Sequence, residues 1–283
     1  MLNTVYLIAI ILGVSGQNIS KKPFTQKSGG KGVFFFGSLV SFTAMLFFVI
    51  TGKDLDFQLS YLPYSIGFAA SYAVSTLFIV LAIRHGSLSL TSLFVSFSLI
   101  LPTFYGLIFL SDPVGPGLIP GILLLAAAIF LTKQKGKKGS FNAKWLILVF
   151  LAFCGNGMCS VVQKMQQVAS GGKGKSEFMI IALGIDAAVL LLLSLLKERQ
   201  DFPTVSKAAI LPALIGGTLN GMVNLFVMIL SGRMPVSVMF PLISAGGILV
   251  TFLVALTFYK EKFTKIQLIG YLCGVLSVVF LNL

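Results

Sequence analysis

Few side chains in this sequence have the makings of chemistry, and they stand out because almost everything around them is apolar. Ser71 and Ser75 lie four residues apart in one apolar stretch, and Asn220 and Asn224 lie four apart in another. Residues four apart on a helix share a face, so each pair makes a short polar stripe. Tyr72 and Thr76 extend the first stripe, while Gln17, Asn18, Asn156 and Gln163 place amides in two further stretches. Such groups either line a cavity for a polar solute or tie membrane helices together, at about 0.6–2 kcal/mol per bond. Asp186 is the one acid well inside an apolar stretch, in Ile185-Asp186-Ala187-Ala188. A carboxyl placed there is the candidate for proton coupling or for binding a cationic part of a solute; the alternative is a structural carboxyl paired to Lys or backbone.

The remaining polar residues favour plainer roles. Arg84 and Arg233 fall at ends of apolar stretches, where a cation complements a helix C-terminus and the lipid headgroups; a gate salt bridge is the alternative. Lys164, near the end of its stretch, is placed to snorkel to the interface, with an anionic solute as the minority reading. His85 is the lone histidine and too isolated for a metal site. Cys154, Cys159 and Cys273 have no metal-ligand spacing and read as small packing residues. Tyr105 and Tyr271 either line a cavity or pack. There are no paired carboxylates within one stretch, no phosphate loop followed by Lys-Ser/Thr and no nucleophile elbow. An enzyme is therefore not expected, nor is a metal or a cofactor.

Holding these groups in place requires long apolar helices. The chain is 57% hydrophobic and 10% charged, with a mean hydropathy of +0.99, outside the range of a soluble globular domain. Its apolar residues come in blocks of roughly 18–22, the length that crosses a ~30 Å hydrocarbon layer as helix. Ten blocks are predicted, at 3–20, 33–51, 61–83, 88–110, 115–132, 144–164, 177–196, 208–231, 235–258 and 264–282. The first has no Lys or Arg before it and no small-residue cleavage site after it, so it is expected to belong to the working protein. The net charge of +13 does not point to nucleic acid. Its lysines sit between blocks, at 21, 22, 27 and 31 and again at 133–144, where they meet lipid headgroups, and no aromatic-and-basic recognition element accompanies them.

The chain also repeats itself. Ser28-Gly29-Gly30-Lys31-Gly32 recurs about half a chain later as Ser170-Gly171-Gly172-Lys173-Gly174, and at the same interval Gly13 matches Gly155 and Lys22 matches Lys164. At a slightly longer, constant interval Pro63 matches Pro212, Gly67 Gly216, Arg84 Arg233, Asp112 Glu261 and Gly121 Gly270. The two serines of the first stripe fall on the two asparagines of the second. Residues 1–140 and 141–283 are therefore read as two five-helix repeats of one transmembrane domain. An odd number of helices inverts the second repeat across the membrane, which gives one cavity two equivalent openings. No strand is predicted before either Gly-Gly-Lys loop, so neither is a Walker motif; ion- or gradient-driven movement remains.

Ten helices in a five-plus-five repeat, short loops, a Gly-rich last helix and the stretch Glu261-Lys262-Phe263-Thr264-Lys265-Ile266-Gln267-Leu268-Ile269-Gly270 resemble the EamA-like members of the drug/metabolite transporter superfamily. The resemblance spans the whole chain. It implies a ten-helix carrier of small metabolites with a central cavity and both termini in the cytoplasm. The positive-inside count instead favours both termini outside. The reading is an all-α membrane protein, a secondary transporter that exports a small polar or amphipathic solute by alternating access. The alternative is a flippase for a lipid-linked sugar or other lipid. Its partners are the small-molecule substrate and the lipid bilayer, and short loops suggest a bacterial plasma membrane. Gly270 and Gly274, four apart, would serve a homodimer or pack against neighbours within the chain.

Overall fold

The apolar blocks are helices. The structure, a computed structural model, describes residues 2–29, 31–85, 95, 97–132, 143–257 and 264–281. Among the described residues it holds ten α-helices and no strand. They are α1 Leu2–Ser28, α2 Val33–Thr51, α3 Leu62–His85, α4 Ile100–Phe109, α5 Leu118–Thr132, α6 Ala143–Ala169, α7 Lys175–Lys197, α8 Phe202–Ser231, α9 Val236–Thr257 and α10 Lys265–Leu281. Among the described residues, five segments are long and apolar enough to cross a membrane: Val33–Thr51, Leu59–Ile79, Ala143–Ala169, Lys175–Lys197 and Val205–Ser231. The first part of the block predicted at 88–110 lies outside the described residues, as do the cluster at 133–142 and Glu261.

Large apolar side chains face outward in stripes along several helices. Leu2, Val5, Ile8 and Leu12 form an exposed stripe on α1, and Leu191, Leu192, Leu195 and Leu196 do so on α7. A water-soluble monomer does not carry such faces; lipid is their natural solvent.

Three helices overrun their predicted ends, α6 running to Ala169 rather than residue 164; the other two share one reason. α1 continues past residue 20 through Lys21, Lys22 and Pro23, and α8 begins at Phe202 rather than residue 208. The added turns bring Phe24 and Val205 into one buried cluster with Phe36, Val40, Ala209 and Ala213, and the rings of Phe24 and Phe36 stack at 4.3 Å. Burying a Phe and a Val side chain yields about 1.5–3 kcal/mol each, enough to outweigh the local loop signal of the lysines and proline.

The helices gather into two compact units, each drawing on both halves of the chain. One contains 1–76 and 162–232, the other 77–161 and 233–283. In the first unit α8 packs on α1 and α2, and α2 packs on α7. Glycine makes this closeness possible. A Cβ on Gly217 would stand 2.5 Å from Thr43 Cβ and 2.6 Å from the Val40 carbonyl, and one on Gly13 would stand 2.6 Å from Val223. In the second unit α5 packs on α10, and α9 packs on α4, α5 and α10. Ser277 donates to the Gly121 carbonyl at 2.8 Å. Gly270 and Gly274 are buried on the same face of α10 as Ser277, so this stripe packs inside its own unit. Asp112 accepts the Ser237 N–H at 3.0 Å and thereby caps the first turn of α9.

Candidate functional site

At the positions described in both copies, the repeated Ser-Gly-Gly-Lys-Gly segments have matching backbone; Gly30 lies outside the described residues. Gly29 and Gly171 have φ of 60° and 59°, and Gly32 and Gly174 have φ of 67° and 65°. Lys31 N–H bonds the Ser28 carbonyl at 3.1 Å, and Lys173 N–H bonds the Ser170 carbonyl at 3.2 Å. Positive φ favours glycine, which explains why these positions carry it. A helix, not a strand, runs into each turn, and the closing glycine starts α2 in one case and α7 in the other. Gln166 clamps the second turn by donating to Lys173 O at 3.0 Å and Ser170 Oγ at 3.2 Å.

α2 and α7 lie antiparallel and are tied at both ends. At the start of α2, the N–H groups of Phe34 and Phe35 donate to the Glu198 carboxylate, just after α7, at 3.2 and 3.0 Å. At the start of α7, Glu177 accepts the N–H of Asp56, from the loop after α2, at 3.0 Å. Lys31 and Asp201 add an ion pair at 3.1 Å.

The principal polar feature of the first unit is a chain of side-chain amides. Gln163 of α6 donates to Asn224 Oδ1 at 2.7 Å. Asn224 Nδ2 donates to Asn220 Oδ1 at 2.9 Å, and Asn220 Nδ2 donates to Gln17 Oε1 on α1 at 3.3 Å. Three helices thus contribute four linked amides, with Gln163 and Asn220 buried and Gln17 and Asn224 half-buried. Each amide has two N–H donors and an oxygen with two lone pairs, and these links use only part of that capacity. The predicted Asn220–Asn224 stripe is therefore half of a larger constellation, which gains Gln17 and Gln163.

The other predicted residues go elsewhere. The Ser71 hydroxyl donates to Gly67 O within its own helix at 2.7 Å, and Ser75 is buried. Tyr72 stacks on Phe68 at 5.9 Å. Thr76 lies over Gly37 of α2. Asn156 belongs to the second unit, where its amide donates to Ser98 Oγ at 2.6 Å. The side chains of Asn18, Arg84 and His85 lie outside the described residues. The Lys164 ammonium donates to Ser231 O at the end of α8, where helix carbonyls gather negative charge. Tyr105 stacks on Phe109 at 5.4 Å, and Arg233 is exposed in the turn after α8.

Asp186 is fully buried and faces α2, where Ser41 donates to its Oδ2 at 2.7 Å. Ser41 was not singled out in the sequence, although Ser38 and Ser41, three apart in the otherwise apolar α2 block, are a readable polar stripe. Among the described residues, no group of three or more His, Cys, Asp or Glu could hold a metal ion.

No protein-family model and no curated protein matches the chain. Solved structures do match it, in 29 chains. One of them, described only as the crystal structure of a protein, aligns over 98% of this chain and 95% of its own, with a TM-score of 0.75 and 15% identity. Likeness at that level establishes a shared fold and nothing about activity.

Proposed function

We propose that this chain is a multi-pass membrane carrier of the drug/metabolite type. It has ten spanning helices in two inverted five-helix repeats and exports a small polar or amphipathic organic solute by alternating access. The outward apolar faces support the membrane location, which we take to be a bacterial plasma membrane. Support for inverted repeats comes from the twin turns and from the antiparallel pairing of α2 with α7, helices at equivalent places in the two halves.

The observation that carries the reading is the amide chain Gln163–Asn224–Asn220–Gln17. Polar side chains in a hydrocarbon layer are costly, so four together mark a solute path rather than chance. Interhelical glue needs one bond; four amides linked in series can exchange their bonds for bonds to a passing solute.

The test is untargeted metabolomics of medium and membrane lipids from cells making the wild type or the Asn220→Ala/Asn224→Ala double variant. A soluble metabolite should accumulate outside with the wild type and fall about tenfold or more in the variant, equivalent to about 1.4 kcal/mol of barrier. A change confined to lipid headgroups would replace this reading by a flippase, and identical profiles would overturn export. Detergent-purified variant must remain monodisperse for the comparison to count.

A further inference from the structure

Asp186 stands mid-helix in α7, with Ala182, Leu183 and Leu190 buried on its own face. One carboxyl oxygen accepts from Ser41, while the other, Oδ1, is buried with no hydrogen-bond partner. Ser38, one turn before Ser41, donates instead to the Ala187 carbonyl at 3.0 Å.

Among the described residues, no counter-charge is found on the elements of this unit that pack around it. α2 carries no charged residue. On α7 itself, Glu177 is nine residues away and Lys175 and Lys197 are each eleven, roughly 13 and 16 Å along the axis at 1.5 Å per residue. On α8, which packs against α2, Lys207 is exposed and two residues from Val205, which abuts Gly32 at the far end of α2. The α3 segment of this unit has no charge between Leu62 and Thr76. A bare carboxylate in such surroundings costs far more than one unpartnered hydroxyl.

We propose that Asp186 and Ser41 form an occluded proton site. Oδ1 carries the proton as an O–H, and Oδ2 is the carbonyl oxygen that accepts from Ser41. When α2 and α7 part, a hydronium ion gives its proton to Oδ1 and is left as water; on release the Oδ1–H bond breaks and the proton passes to a water molecule, which becomes hydronium. The donor set suits a proton better than a metal cation, because Ser41 Oγ is the one oxygen bonded to the carboxyl and the aliphatic neighbours offer none. Its use in driving solute export rests on the carrier reading above; the protonated state does not.

Infrared difference spectroscopy of the purified protein in detergent at neutral pH tests this. Wild type minus Asp186→Asn should show one C=O stretching band of a protonated carboxyl. In Ser41→Ala that band should persist and move to higher wavenumber, since the hydrogen bond to the C=O is lost. Exchanging choline for sodium should leave it unchanged. Carboxylate bands in place of the C=O band would overturn the proposal, and loss of the band in sodium would replace the proton by that ion. Should Asp186→Asn not fold, an unmoved band in Ser41→Ala would overturn it alone. Absent export with an intact band would defeat the carrier reading only.

Discussion

Glu198 caps a helix whose second residue, Phe34, lies 164 residues before it. Its carboxylate accepts the N–H groups of Phe34 and Phe35, and Ser194 Oγ lies within 3.3 Å. α2 starts at Gly32 with no side-chain cap of its own, so Glu198 satisfies donors that would otherwise be buried and unpaired. Glu198→Ala should lower stability by about 2 kcal/mol, visible as a lower Tm in detergent, and Glu198→Gln should lose less. Equal Tm values for all three proteins would contradict the capping role. This contact was illegible in the sequence, because Lys197-Glu198-Arg199 reads as a solvated charge run. Asn220 and Asn224 were legible because two amides at helical spacing interrupt an apolar block. Their bond to Gln163 depends on how α6 and α8 come together, which no local pattern encodes.

α8 is the element on which the first unit depends. Thr43 and Phe47 of α2 press on Gly217 and Gly221, and Val223 presses on Gly13 of α1. At Gly217 the obstacle includes a backbone carbonyl, which cannot swing away as a side-chain end can. Gly217→Ala should therefore cost about 1–3 kcal/mol by overpacking. By contrast, Gly247 of α9 has nothing within 4 Å of a Cβ, so Gly247→Ala should be neutral or stabilising by up to about 1 kcal/mol. Thermal unfolding of the two variants side by side decides it: similar Tm shifts would mean that the closeness of α2 and α8 is not a constraint. Hydropathy alone placed these helices, since an unbroken apolar run has few other solutions. It misplaced the end of α1 and the start of α8 because the burial of Phe24 and Val205 comes from tertiary packing, not from the local residues.

At the scale of the whole molecule, the outward apolar faces make the bilayer part of the folded state. The protein should stay with membranes through an alkaline carbonate wash and leave them only with detergent; release by carbonate alone would contradict the spanning arrangement. The proposed duplication rests on glycines, prolines and charges that recur in order, where aliphatic matches mean little. The division into two compact units was not legible in the sequence, because each takes helices from both halves. That feature bears on how the protein is made. Gln17 leaves the ribosome 203 residues before its partner Asn220, a delay of roughly 10–40 s at ~5–20 residues per second. On the proposed ten-helix arrangement, α1 and α2 would wait in the bilayer throughout that interval, their amide and seryl groups facing lipid or a caretaker. Biogenesis of this protein therefore favours an insertase that shelters the early helices until α7 and α8 arrive.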